Sequence, residues 1–116
     1  MKRGDVVLLD YPYADGSASK VRPALIVQND RDNQRLTNTI VALITKNVSR
    51  VHEPTQFLID VSTPEGQQSG LNQNSAVACS NLFTVAQTKV RRVIGSLAPA
   101  AMTQIVDCLR VALGLP

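Results

Sequence analysis

The C-terminal segment constrains the fold most, because it has the hydrophobic period of an α-helix. Its apolar residues recur at steps of three and four, which places them on one face of an amphipathic helix. They are Met102, Ile105, Val106, Leu109 and Leu113. Pro99 suits the first turn of a helix, where its missing N–H is not needed, and Gly114 suits the position just past the end. We therefore predict one terminal helix whose apolar stripe packs against the rest of the chain or against a second copy.

The chain before this helix consists of short apolar runs separated by turn residues. Such runs, rich in β-branched side chains and bounded by Gly, Pro, Asn, Asp or Ser, are typical of strands. The predicted strands are Asp5–Asp10, Arg22–Gln28, Thr39–Thr45, Thr55–Val61, Ser75–Cys79, Leu82–Ala86 and Arg91–Ser96. This order predicts a mainly β fold, a small and strongly bent β-barrel with a C-terminal α-helix packed on it.

The connections between these runs collect Pro, Gly, Asn, Asp and Ser, and we predict that they are loops. After the second strand, Asn29-Asp30 can cap a short helical turn over Arg31–Arg35. The other predicted connections are Tyr11–Val21, Asn47–Pro54 and the polar segment Ser62–Asn74.

Length and composition limit the chain to one globular domain over residues 1–116. Apolar residues make up 44% and charged residues 18%, which excludes a disordered chain. The sequence has no run of about 20 apolar residues, so no membrane span is predicted. The basic start Met1-Lys2-Arg3 is followed by Gly4 and Asp5 instead of an apolar run. We therefore expect no secretory leader and a cytoplasmic protein.

The charge balance permits a nucleic-acid partner without requiring one. Lys and Arg number 12 against 9 Asp and Glu, giving a net charge of +3. Most of the cations are arginines, whose planar donor fork fits phosphate, although a solvated surface can carry the same charge. Trp is absent and the chain has only two Tyr and two Phe. Any RNA site would therefore depend more on phosphate and base-edge contacts than on aromatic stacking.

The metal-ligating side chains are few. The chain contains Cys79, Cys108 and a single histidine, His52. Two cysteines do not form a disulfide framework, and the spacing matches no zinc motif. We therefore expect no metal ion and no cofactor, and we interpret the cysteines as buried free thiols in a reducing compartment.

Segments along almost the whole chain match a known pattern in order and in spacing. They are Arg3–Val7, Arg22–Val27, Asn29-Asp30, Ile44-Thr45, Gly70-Leu71, Ser75–Val77, Leu82–Val85, Ile94–Leu97 and the Pro99–Leu115 helix. Each motif is weak alone, but their order across the full length makes a chance match improbable. Together they resemble the MazF/PemK toxins, which are ribonucleases of toxin–antitoxin pairs.

The resemblance implies an SH3-like barrel with a C-terminal helix that works as a homodimer. It implies a sequence-specific, metal-independent endoribonuclease that cuts single-stranded RNA, often mRNA, and so inhibits translation and growth. In the best-studied pattern the ribose 2′-hydroxyl attacks the adjacent phosphate and leaves a 2′,3′-cyclic phosphate and a 5′-hydroxyl. The expected partner is a cognate antitoxin whose flexible acidic segment blocks the RNA groove, and DNA is bound only through the antitoxin complex.

The chemistry places defined demands on the protein. The substrate supplies the nucleophile, so the protein must help with loss of the 2′ proton, charge on the phosphoryl oxygens and protonation of the leaving 5′ oxygen. Arg22 stands at a loop–strand boundary, and Thr45 ends the strongest predicted strand. The family's paired Arg and Thr carry over onto Arg22 and Thr45, which we predict to be catalytic. Because a guanidinium stays protonated at neutral pH, we assign Arg22 to electrostatic stabilisation.

The sequence departs from the family at its acidic positions. The family's loop Glu falls near Ser17, and Ser80 replaces the Asp of its Asp-Gln-x-Arg run. The general base is therefore open. His52 is the obvious substitute, because imidazole titrates near neutral pH. Asp10 and Asp15 are further candidates, although each also suits a strand end or a turn.

The predicted substrate-binding residues lie in two loops. The loop before Arg22 contributes Ser19 and Lys20, and the loop after the third strand contributes Arg50 and His52. These loops should frame an RNA channel, with Lys46 adding positive potential. Phosphates bind such a channel by counterion release, so RNA affinity should fall steeply with salt.

Two other classes of function stay open at this stage. The same barrel occurs in CcdB-type toxins, which bind DNA gyrase and catalyse nothing. The missing acidic residues also allow a catalytically impaired homologue that only binds its antitoxin. The Arg22–Val27 block and Thr45 favour the ribonuclease.

Overall fold

A computed structural model describes residues 1–11 and 20–116 of the chain. The predicted binding residue Ser19 and the candidate base Asp15 lie outside the described residues, as does Ser17, near which the family's Glu falls, and most of the predicted loop before Arg22. The strands are β1 (Asp5–Tyr11), β2 (Lys20–Ile26), β3 (Asn38–Thr45), β4 (Gln56–Ile59), β5 (Ser75–Ala86) and β6 (Val90–Ser96). The helices are α1 (Asp30–Arg35), α2 (Pro64–Gln68) and α3 (Pro99–Leu113), with a 3₁₀ turn at Gln87–Lys89.

The six strands form one antiparallel sheet in the order β4-β5-β3-β2-β1-β6. Apolar side chains are buried on both faces, since the adjacent residues Val6 and Val7 belong to different core clusters. This double burial explains why the strands are continuous apolar runs and not alternating ones. The Val7 cluster gathers residues of five neighbouring strands, including Phe83 and Val90, so the sheet curves around it. The predicted mainly β fold with a C-terminal helix is confirmed.

Helix α3 covers the other face of the sheet. Met102 and Ile105 of the predicted stripe are buried in the cluster that contains Val6. Cys108, which the stripe did not include, is buried there too, whereas Leu113 at the end of the helix is 57% exposed. Gly114 ends the helix as predicted, with a φ of 68° that places it in the left-handed region. The apolar stripe therefore anchors the helix by its first three turns.

Strand β5 is continuous where two strands were predicted. The polar pair Ser80-Asn81 suggested a break, but the pairing with β3 only shifts register there, between Ala42 and Leu43. A shift of this kind accommodates extra residues without ending the strand. Both residues lie exposed on the continuous strand.

The polar connection after β4 contains a helix that the sequence analysis missed. Thr63 caps α2, because its hydroxyl accepts the N–H of Gly66 at 3.0 Å, and Pro64 occupies the first turn. The start of a helix was indicated only by the three residues Thr63, Pro64 and Glu65, too few to predict a helix. Strand β4 also ends at Ile59, earlier than predicted, because the N–H of Val61 donates to the side chain of Asn74 at 2.9 Å instead of to a strand.

Strand β2 begins inside the segment that was predicted to be a loop. Lys20 and Val21 pair with Tyr11 and Asp10 of β1, so the strand starts at Lys20. It ends at Ile26, before the predicted Gln28, where pairing with β3 stops. None of the helices in the described part of the chain has the length and apolar character of a membrane span.

Candidate active site

Arg22 and Thr45 stand on opposite sides of a gap between β2 and β3. The β2–β3 ladder ends at the pair Ala24–Leu43. Arg22 and Thr45 each lie two residues beyond that pair, so they are the positions that would face each other if pairing continued. Both remain on paired backbone, because Arg22 is opposite Leu9 of β1 and Thr45 is opposite Ala76 of β5. The sheet therefore holds both residues on rigid strands across an open space.

This space, which we call the β2–β3 gap, has a volume of about 240 Å³. Its lining consists of Tyr11, Arg22, Leu43, Ile44 and Thr45. The ring of Tyr11 packs edge-on against Phe83, with centroids 5.1 Å apart. The hydroxyl oxygen of Thr45 accepts the N–H of Asn47 at 3.1 Å, a bond that does not use the hydroxyl proton. The structure thus places both predicted catalytic residues in the lining of the same gap.

A second depression, the side cleft, continues from the other side of Arg22 and has a volume of about 340 Å³. Leu8 of β1 forms part of its lining, flanked by its direct partners Pro23 of β2 and Arg92 of β6. The rest of the lining comprises Val21, Arg22, Lys46, Gly70, Leu71, Asn72, Gln73, Ser75 and Ile94. Arg22 lines both spaces, so the gap and the side cleft are neighbours on either side of this residue.

The charges around the side cleft have one sign. Three cations line it, Arg22, Lys46 and Arg92, and the described residues of its lining include no Asp or Glu. A concave surface with charges of one sign concentrates the potential and attracts oppositely charged ligands. The site therefore suits an anionic ligand such as the phosphates of a nucleic acid.

One wall of the side cleft is held firmly in place. Gly70 has a φ of 76° and lies so close to β6 that a Cβ would overlap the carbonyl oxygen of Ile94. Leu71 packs against the core under α3, and its N–H donates to the hydroxyl of Ser69 at 3.2 Å. Only glycine adopts this backbone conformation without strain, so the segment is fixed against β6 by its backbone.

The predicted substrate-binding residues are not all placed at this site. Lys20 is exposed at the start of β2, opposite Tyr11, and so lies near the gap. Arg50 and His52 lie exposed on the loop between β3 and β4, and neither lines the gap or the side cleft. The Arg50 Nε atom is 4.0 Å from Oε1 of Glu53. Their role in binding RNA stays a prediction.

Asp10, the described carboxylate that was a candidate for the general base, is paired with an arginine outside the gap. Oδ1 of Asp10 accepts a hydrogen bond from Nε of Arg91 at 2.8 Å. Arg91 thus neutralises Asp10, while its neighbour Arg92 lines the side cleft. Neither the gap nor the side cleft has a carboxylate or an imidazole in its described lining.

Three residues of the side cleft were missed by the sequence analysis: Asn72, Gln73 and Arg92. The two amides lie in a polar connection, where such residues are ordinary. Arg91 and Arg92 are adjacent in the sequence, and only the register of β6 against β1 shows which of them lines the cleft. A basic pair on an edge strand was therefore the only available signal.

The metal-ligating side chains of the described residues do not assemble. No group of three His, Cys, Asp or Glu side chains comes together within residues 1–11 and 20–116. Cys79 and Cys108 are buried free thiols. Burial raises the pKa of Cys79 to about 12 and also raises the pKa of Cys108, so both favour the neutral thiol form.

Comparison with known proteins matches this chain over nearly its full length. A curated relative, the Endoribonuclease MazF of Staphylococcus epidermidis, is 29% identical and the match covers 99% of this chain and 92% of that protein. The structure of the Mycobacterium tuberculosis toxin MazF-mt6 is similar with a TM-score of 0.78 at 28% identity, covering 97% of this chain and 98% of that one.

A mycobacterial endoribonuclease in complex with its cognate antitoxin has a TM-score of 0.76 at 26% identity, and covers 100% of this chain and 97% of that one. The sequence profile of the family described as the PemK-like, MazF-like toxin of type II toxin–antitoxin systems matches residues 2–113. The resemblance seen in the sequence is thereby confirmed, and the chain belongs to this PemK-like, MazF-like toxin family.

Proposed function

We propose that this chain is an endoribonuclease that cleaves single-stranded RNA, including mRNA, at the β2–β3 gap without a metal ion. The observation that carries the proposal is the convergence of Arg22 and Thr45 across the gap, beside a cleft lined by cations. The curated relative is named an endoribonuclease, which favours this reading over a gyrase-binding toxin of the CcdB type. The same name also favours a ribonuclease over a homologue that only binds an antitoxin.

The reaction is an internal transesterification. The ribose 2′-oxygen attacks the adjacent phosphorus, the bond to the 5′-oxygen breaks, and the proton from the 2′-hydroxyl is balanced by one delivered to the leaving oxygen. The products are a 2′,3′-cyclic phosphate and a 5′-hydroxyl. Because the nucleophile belongs to the substrate, the protein accelerates the step mainly by positioning the phosphodiester.

Arg22 and Thr45 would divide the remaining work between them. Arg22 presents a planar donor fork to the phosphoryl oxygens and stabilises the negative charge that grows on them. The hydroxyl of Thr45 donates a hydrogen bond to one of these oxygens, while its oxygen accepts the N–H of Asn47. His52, Ser19, Lys20 and Arg50 belong to the proposal as predicted contacts to the flanking RNA. Because the described lining of the gap contains no carboxylate or imidazole, no residue is assigned as the general base.

The test is incubation of the purified protein with a long single-stranded RNA in the presence of EDTA. Mass spectrometry of the fragments should show 2′,3′-cyclic phosphate and 5′-hydroxyl ends, because internal attack leaves no other products. The sample must be free of other nucleases, so an Arg22→Ala sample prepared in the same way is the control. Intact RNA together with inhibited gyrase would overturn the proposal in favour of a CcdB-like toxin.

The proposed partner is a cognate antitoxin with a flexible acidic segment. The similar mycobacterial endoribonuclease has been solved with its antitoxin. In this chain Arg22, Lys46 and Arg92 provide a cationic site that such a segment would occupy in place of RNA. Labelled RNA should therefore be displaced by the antitoxin peptide in a competition titration, and simultaneous saturation by both ligands would contradict the shared site.

The proposed assembly is a homodimer that acts in the cytoplasm and meets DNA only through its antitoxin. Large apolar side chains are exposed near the end of α3, where Val111, Leu113 and Leu115 are each more than half exposed. Several large exposed apolar side chains at one end of a helix favour a contact with another chain. Sedimentation at micromolar concentration should show a species of twice 12.5 kDa, and a monomer would contradict the dimer.

A further inference from the structure

We propose that the side cleft is a binding site for one nucleobase, in which Asn72 and Gln73 select the base next to the cut. This inference rests on the proposed ribonuclease function and identifies the part of the substrate that the side cleft would bind. The gap and the side cleft share Arg22. In this proposal the scissile phosphate lies at Arg22 and the neighbouring nucleotide enters the adjoining side cleft.

The size of the side cleft fits one nucleobase. Its volume of about 340 Å³ is near the lower end of the range for small-ligand sites, roughly 300–1,000 Å³. Leu8, Pro23 and Ile94 provide an apolar surface on which a flat ring can rest. A base has apolar faces and polar edges, and the cleft combines the two kinds of surface in the same way.

The polar groups of the cleft match the edge and the plane of a base. Asn72 and Gln73 carry amides, which both donate and accept hydrogen bonds and can therefore pair with a base edge. Both side chains are exposed. Arg92 supplies a guanidinium plane, a group on which unstacked RNA bases commonly stack. This is the kind of platform that a chain with few aromatic residues needs.

The backbone that carries the two amides is fixed, which is what selection of a base requires. The carbonyl oxygen of Gln73 accepts the hydroxyl of Ser75 at 3.0 Å, where β5 begins. On the other side, Gly70 is packed against β6 and Leu71 against the core. Amides on a firmly held segment discriminate between bases, because a mismatched base leaves their polar groups unpaired.

The test is the cleavage motif of the double variant Asn72→Ala/Gln73→Ala. A long RNA of mixed sequence is cut, and the 5′-hydroxyl ends of the fragments are sequenced. We expect the base preference at one position next to the cut to weaken by about tenfold, with the other positions unchanged. Arg92→Gln should weaken the same position. An unchanged motif in both variants would overturn the inference while leaving the ribonuclease function intact.

Matched controls separate this role from a general loss of amides or charge. Gln34→Ala and Arg31→Gln change exposed residues of the same types on α1, away from the cleft, and should leave the motif unchanged. Asn74 is left in place, because its side chain accepts the N–H of Val61. The folded state of each variant is checked by its thermal unfolding midpoint.

A binding measurement separates failure of the inference from failure of the ribonuclease function. Labelled decamers of A, C, G and U are titrated with wild type and with the double variant at low salt. If wild type cuts no RNA, the proposed function fails. A base preference that the double variant loses would still support the subsite. The nucleobase site would be overturned if wild type binds the four decamers equally, or if the double variant keeps the base preference of wild type.

Discussion

The two ends of the β2–β3 ladder are built in opposite ways. At one end, past the pair Ile26–Val41, side-chain amides form hydrogen bonds that join the strands to α1. At the other end, past Ala24–Leu43, the strands separate and leave the gap with Arg22 and Thr45. We call these the closed end and the open end. One end of this short ladder is stabilised by hydrogen bonds, and the other end leaves a space large enough to hold part of a ligand.

At the closed end the polar groups satisfy each other. The side chain of Asn33 is buried, accepts from Gln28 at 3.0 Å and from the hydroxyl of Thr39 at 2.7 Å, and donates to the carbonyl of Gln28. Gln87 donates to the carbonyl oxygens of Asn33 and Leu36. Buried polar groups cost little when they are paired in this way. The network therefore fixes α1 against the sheet.

At the open end the side chains of Arg22 and Thr45 line a space between the strands. Arg22 and Thr45 stay on strands paired with β1 and β5, so separation of the ladder does not loosen them. Their substitution should therefore change catalysis more than stability. The reverse should hold at the closed end.

The largest expected effect is on catalysis at the open end. Arg22→Ala should lower the cleavage rate by about 10²–10³, because it removes the fork that stabilises charge on the phosphoryl group. The measurement is initial cleavage of a defined single-stranded RNA. Arg31→Ala, an exposed arginine on α1, is the control for loss of charge. Cleavage by Arg22→Ala at the rate of the control would show that the open end is not the active site.

At the closed end the expected effect is on stability. Asn33→Ala should lower the free energy of unfolding by about 3 kcal/mol, because Gln28 and the fully buried hydroxyl of Thr39 lose a partner. Urea unfolding at neutral pH measures it, with the exposed Gln34→Ala on the same helix as the control. Cleavage by the remaining folded protein should be unchanged. A loss of activity without a loss of stability would contradict the division between the two ends.

Much of this architecture could be predicted from local sequence patterns. The helix from Pro99 to Gly114 and the run before Thr45 follow from periodicity and terminal residues. The continuity of β5 could not, because the register shift opposite Ala42 decides it and depends on pairing with another strand. Helix α2 is too short for its period to be visible, so only its Thr63 cap marked it.

The candidate site was predictable only in part. Arg22 and Thr45 were identified by resemblance, and their meeting across the gap depends on where the ladder ends. Asn72, Gln73 and Arg92 carry no local signal, since amides in loops and arginines on edge strands are common. Arg92 is placed beside Leu8 by the register of β6 with β1, whereas Asn72 and Gln73 follow Gly70, whose backbone lies against β6.

A smaller effect at the open end is expected from the hydroxyl of Thr45. Thr45→Val keeps the shape of the side chain but removes the proton that we assign to a phosphoryl oxygen. The cleavage rate should fall by about tenfold, the range of one hydrogen bond to a charged group. Thr84→Val, on the exposed face of β5, is the matched control. If the two variants cleave equally fast, the open end acts through Arg22 without Thr45.

The salt dependence of RNA binding distinguishes cations at the open end from those on the neighbouring loop. Lys46→Gln removes a cation that lines the side cleft, whereas Arg50→Gln removes one that lies near Glu53. Loss of one phosphate contact lowers the slope of log affinity against log salt by about 0.7 for a single strand. We expect this change for Lys46 and a smaller one for Arg50. Equal changes in slope for the two variants would show that the RNA also contacts the loop that carries Arg50.

The smallest expected effect is the response of the closed end to acid. The pKa of Asp30 is lowered from its usual value of 3.8, mainly because its Oδ1 accepts the N–H of Arg3, at 2.7 Å. A lowered pKa in the folded state means that the carboxylate stabilises the fold above about pH 4 and loses this contribution as the pH falls through the lowered pKa.

Asp30→Asn keeps an oxygen that can accept the N–H of Arg3 but cannot titrate. The urea midpoint of the variant should therefore fall less than that of wild type between pH 6 and pH 3, by a small margin because Asp30 is exposed. The reference is the range around neutral pH, where the urea midpoint of both proteins should change little with pH. Because the lining of the gap and of the side cleft includes no described carboxylate, no matching acid response is expected at the open end. Identical acid profiles for variant and wild type would show that the link between Arg3 and Asp30 does not hold the closed end.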